Sequence, residues 1–142
     1  MSKGNTFEND LLGLIFNGDA IANLADDAAT SPLTELYVSL HTADPGEAGN
    51  QETSECAYTS YARVAVARTS GGWTITDNSV SPAANIDFPA ATGGTETATH
   101  VAIGTASTGT GKILYSGAIT PNISISTGVT PRIGTGSTIT ED

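Results

Sequence analysis

The chain has 142 residues and carries five Lys and Arg against fifteen Asp and Glu, a formal net charge of −10. That length fits one domain able to bury a core without disulfides or metal. Phosphate-backbone binding needs clustered cations, so the charge argues against DNA or RNA as a direct partner. The acid is uneven: residues 1–60 hold ten acidic residues and one Lys, and residues 61–142 hold five acidic and four basic residues. It serves solubility or docking onto a basic surface, and composition leaves both open. Cys56 is the single cysteine, so no internal disulfide forms. No apolar run approaches membrane-spanning length, and MSKGNTFEND lacks a leader's apolar stretch after Lys3. The expectation is synthesis in a host cytoplasm, with no membrane partner.

In chain order, residues 5–17 read as a short helix. Asn5 and Glu8 match a capping box, Phe7, Leu11, Leu14 and Ile15 share one face, and Asn17-Gly18 supplies a stop. Asp19 caps a second short helix to about Ala29, and Ser31-Pro32 ends the region. The division expected is a helical arm over 1–30 and a β-sandwich over 31–142. The arm either packs on its own domain or reaches a neighbouring subunit.

From Leu36 the period changes to two. Leu36, Val38 and Leu40 point one way and Tyr37, Ser39 and His41 the other, as in a half-buried strand. Residues 43–60 form a long acidic loop without periodicity. In YARVAVAR (61–68), Tyr61, Arg63, Ala65 and Ala67 lie on one face and Val64 and Val66 on the other. Further strands are expected from Trp73 and at 86–88, 99–105, 112–119, 122–127 and 137–140, punctuated by Gly-rich turns. Helix first and short strands after predict a mainly β fold, a jelly-roll-like antiparallel β-sandwich with a short N-terminal helical segment.

Concentrated chemistry is missing. His41 lies near Asp44 and Glu47, but the spacing matches no zinc pattern. No G-x-S-x-G elbow or dinucleotide fingerprint occurs, and GTGK at 109–112 sits among strands rather than opening a helix. No catalytic residue, metal ligand or cofactor is assigned, and the expectation is that the chain is not an enzyme.

The stretches LYVSLHTADPGEAG, YARVAVART and GGWTI, with IDFPAATGG and THVAIGTASTGTGKILYSGAIT, resemble a family of small tailed-phage virion proteins. ENDLLGLIFNGDA resembles that family's opening helix, and the likeness spans most of residues 7–140. Members are often labelled tail-fibre-like. Similar virion proteins imply jelly-roll cement, or decoration, subunits that clamp the outer capsid lattice. The resemblance therefore implies a structural protein on the outer capsid surface, partnered by the major capsid protein and by itself, as a dimer or trimer. The alternative is a tail or fibre component that binds another virion protein or a host glycan. Candidate interface residues are Phe7, Leu11, Leu14 and Ile15 on the helix, the 43–60 loop, and Tyr61 and Arg63, residue types enriched at interfaces.

Overall fold

A computed structural model describes residues 5–21 and 33–141, the side chains of Asn5 and Phe7 excepted. The second helix expected from Asp19 lies mostly outside the described residues, as does the Asn5 half of the capping box. The protein is mainly β with antiparallel sheets and no closed barrel, in line with the sequence. The elements are α1 (Asn5–Leu12), a π-type turn (Gly13–Asn17), β1 (Glu35–His41), β2 (Val64–Ala67), β3 (Trp73–Thr76), β4 (Ser79–Pro82), β5 (Ile86–Asp87), β6 (Glu96–Gly104), β7 (Ile113–Ile125), β8 (Arg132–Ile133) and β9 (Ile139–Thr140). They form sheets ordered β2-β1-β6-β7, β3-β4-β9 and β5-β8.

The chain divides into two units. One comprises residues 1–35, 67–86 and 133–142; the other comprises 36–66 and 87–132. In the first, α1 packs on β3 and β4. Leu12 and Phe16 are fully buried, four residues apart on one helical face. The Phe16 and Trp73 rings meet edge to face at 4.7 Å. The helical segment ends at Gly18, whose φ of 72° is the left-handed conformation that favours glycine. Arg68 closes the segment's C-terminal end, donating from Nε to the Ile15 carbonyl at 2.6 Å and from its terminal nitrogens to the Leu14 and Leu33 carbonyls. A cation there satisfies carbonyls that the helix leaves without partners.

The second unit carries the long ladder. β1 pairs with β6 from Tyr37 opposite Gly104 to His41 opposite His100. β6 pairs with β7, with two irregularities. Between Ala98–Ile123 and His100–Ala118 the single residue Thr99 faces the four residues 119–122, and Leu114 is the extra residue between Tyr115 and Ile113. The segments expected as two strands, 112–119 and 122–127, are therefore one strand interrupted by a bulge, because both halves keep pairing with β6. GTGK forms the β6–β7 hairpin, tied by Thr105 N–H to the Lys112 carbonyl at 3.1 Å.

β1 departs from the half-buried pattern. Ser39 and His41, expected on a solvent face, are fully buried. The reason is the 42–62 loop, which turns back on the end of the strand: Cys56 N–H donates to the Leu40 carbonyl and Thr42 N–H to the Ser54 carbonyl, both at 2.8 Å. A period-two pattern shows where side chains point, not whether a distant loop covers them.

A buried polar cluster as candidate functional site

The 42–62 loop is held by three polar anchors within the second unit. The first is Glu55 with Arg63. Arg63 Nε donates to Glu55 Oε1 at 2.7 Å and Nη2 to Oε2 at 2.8 Å, a two-pronged pair. The remaining donors reach the β6–β7 hairpin: Nη1 to the Ala106 carbonyl at 2.9 Å and Nη2 to the Gly109 carbonyl at 2.8 Å. The Arg63 side chain is 3 % exposed. The Glu55 carboxylate raises its pKa further, so the guanidinium is charged at all working pH. Tyr61 completes the anchor: its hydroxyl accepts from Leu40 N–H at 3.1 Å and donates to Glu55 Oε1 at 2.8 Å. Burial, with the Glu55 charge beside it, pushes the phenol well above its ordinary pKa. The Tyr61 ring stacks on Phe88 at 6.3 Å and meets Tyr58 edge-on at 5.3 Å.

The second anchor is Gln51, fully buried. Its Nε2 donates to the Tyr37 carbonyl at 3.2 Å and its Oε1 accepts from Ala106 N–H at 3.0 Å. The space exists because Gly104 and Gly111 flank it. A Cβ on Gly104 would lie 2.2 Å from the amide carbon, and one on Gly111 would lie 2.1 Å from Oε1. These two glycines admit a side chain rather than a turn.

The third anchor is His41. Its Nδ1 donates to the Thr53 carbonyl at 2.8 Å, which leaves Nε2 to accept from the Ser39 hydroxyl at 2.9 Å. Burial lowers its pKa, so the ring is neutral at pH 7. Ser39 and His41 have the atoms of a nucleophile–base pair. Both are sealed from solvent, however, and the ring's other nitrogen meets a backbone carbonyl rather than an acid. Cys56 is buried as well. Burial and the nearby Glu96 carboxylate push its thiol up to about 12, where it is neither thiolate nor ligand. No group of three or more His, Cys, Asp or Glu fit to hold a metal occurs among the described residues, and no helix there is long and apolar enough to cross a membrane.

The structure places the expected interface residues as follows. Tyr61 and Arg63 belong to the buried cluster, their polar atoms engaged within the chain. Leu11, Leu14 and Ile15 are half-buried on the flank of the helical segment. The Phe7 side chain lies outside the described residues. On the 43–60 loop, Asp44, Glu47 and Glu52 are exposed. The loop beneath them is tied by local turns as well: Asp44 Oδ1 accepts from Gly46 N–H and Asn50 Oδ1 from Glu52 N–H, each at 2.9 Å. Glu55 and Gln51 were missed as anchors because nothing local marks a loop carboxylate or amide as buried. The available signals were weak: an acid and an arginine eight residues apart, and glycines in the hairpin 53 and 60 residues beyond Gln51.

The fold and this cluster together define a β-rich body in which buried polar groups fix a long acidic loop in one shape. The chain belongs to the family described as podophage GP4 fiber I protein gp80, whose model matches residues 2–141. It is thus a structural protein of the phage virion. No curated protein matches it.

Proposed function

We propose that the chain is a non-enzymatic, fibre-type component of the phage tail, holding its place by surface contacts with other virion proteins. The family description carries this reading, since it names a fibre protein over nearly the whole sequence. The physical chemistry agrees. His41 and Arg63 of the second unit's interior serve internal anchoring, Cys56 is buried, and the exposed acids sit on a fixed loop. A loop held in one shape loses little conformational freedom when a partner docks, so weak contacts repeated by particle symmetry suffice for attachment.

Capsid cement is the second reading. It is favoured by a sequence without the repeats of an extended shaft. In that case the partner is the major capsid protein and the location the outer capsid surface. Gold-labelled antibody against the chain, imaged on intact particles, separates the two. Label confined to the tail supports the fibre reading, label over the whole shell supports cement, and unlabelled particles with the chain free in the lysate would overturn both.

A further inference from the structure

His41 ends β1, inside the four-stranded sheet, and its ring holds the Thr53 carbonyl of the 42–62 loop at 2.8 Å. Both ring nitrogens are engaged and the residue is fully buried. A second proton would enter at Nε2. The Ser39 hydroxyl would then turn to accept, sending its own proton towards the Ala102 carbonyl at 3.4 Å. Hydrogen bonding therefore tolerates the proton, but the surroundings do not. Glu55 lies opposite His41 in an isolated bridge, yet Arg63 and Tyr61 already engage both of its oxygens. Arg63 is itself a cation, and His100 faces His41 across the β1–β6 ladder. Glu55, Arg63 and His100 are the charged and titratable groups that act on the ring. A buried imidazolium without a free counter-charge is costly, so the charged ring needs water.

We propose that residues 42–54 form an acid-sensitive latch: protonation of His41 releases the Thr53 carbonyl and frees the segment that carries exposed Asp44, Glu47 and Glu52, while the sheet stays folded. The loop gives way because β1 is paired on both sides, whereas the loop can lift without breaking the β1–β6 ladder. The sign follows from the burial. The closed form holds the ring below its ordinary value of 6.5, so the open form binds the proton first, and opening is favoured as pH falls below that value. Between about pH 7.5 and about pH 5 the open population rises by up to roughly thirtyfold, the ratio of proton binding by a free imidazole at the two pH values. This inference is independent of whether the chain sits on tail or shell.

Hydrogen exchange on the full-length wild type at the two pH values, corrected for intrinsic rates, reads the opening directly. The Thr42 and Gln51 amides, bonded to the Ser54 and Gly111 carbonyls, should lose protection by about ten- to thirtyfold in acid. At both pH values they should exchange faster than the β1–β6 ladder amides and ignore low urea, which marks local opening rather than global unfolding. His41→Gln, which does not titrate, should show the same protection at both pH values. The wild-type readouts stand even if that variant fails to fold. Loop amides that exchange at the ladder's rate and respond to urea as the ladder does would overturn the proposal. So would wild-type protection unchanged between the two pH values, or a folded His41→Gln that keeps the acid response.

Discussion

Replacing Glu55 by Ala tests the buried cluster where its energetics are most exposed to measurement. The substitution removes the acceptor for two Arg63 donors and for the Tyr61 hydroxyl. Arg63 keeps its bonds to the Ala106 and Gly109 carbonyls, but its charge, buried in the wild type, loses the carboxylate in contact with it. Breaking such a pair from one side costs about 3–5 kcal/mol, against about 0–1 kcal/mol for an exposed pair. Domains of this size are stable by about 5–15 kcal/mol, so the variant should fold with much of its margin gone. With a urea slope of roughly 2 kcal/mol/M, the unfolding midpoint followed by circular dichroism should fall by about 1.5–2.5 M. The double variant Glu55→Leu/Arg63→Met should lose less than the two single changes added together, since it leaves no unpaired charge. It should still fall short of the wild type, because the Ala106 and Gly109 carbonyls lose their donor at about 1–3 kcal/mol each if they stay dry. A loss below about 1 kcal/mol for Glu55→Ala would show that the pair behaves as a surface ion pair, and the reasoning would fail.

Gly104→Ala should displace the Gln51 amide from between the Tyr37 carbonyl and the Ala106 N–H, costing about 1–3 kcal/mol in thermal or urea unfolding, and Gln51→Ala in the same chain should recover part of that loss. His41 titrates below its ordinary value when folded, so the unfolded chain binds its proton first: stability should decline as pH drops below about 6.5, level off below the folded pKa, and show a shallower decline in His41→Gln when melting temperature is followed against pH. Cys56 should resist a thiol reagent at pH 8 in the native protein and react at once in urea, since its thiol is buried and held at about 12.

The β class was legible because period two and glycine punctuation are local signals. Val64 and Val66 turn inward and Ala65 and Ala67 outward in β2, and Trp73 begins β3 fully buried, as their spacing indicates. The missed strands, β4 and β8, are short and contain Pro82 or follow Pro131, where propensity argues against a strand and tertiary pairing overrides it. On the helical segment, the alignment of Phe7, Leu11, Leu14 and Ile15 assumed an unbroken α-helix. Within the regular helix Glu8 and Leu12 already take the buried positions, one residue round from that face, and Phe16 continues them at a spacing of four through the Gly13–Asn17 turn. A deletion of the helical segment would therefore remove core side chains along with any contact surface, so substitutions at half-buried Leu11, Leu14 or Ile15 probe docking more cleanly. The candidate site was the least legible part. Arg63 stood out by residue type, but its partners, Glu55 in the loop and two carbonyls in the β6–β7 hairpin, come from segments that only the folded sheet brings together.

The central claim concerns where the chain acts in the particle, and its copy number there is the most direct test. Purified particles of the phage that encodes the chain would be quantified by mass spectrometry with isotope-labelled peptides from this chain and from the major capsid protein. A fibre-type tail component predicts a small, fixed number of copies per particle. A ratio approaching one copy per major capsid subunit would contradict that account and leave the chain as cement over the shell.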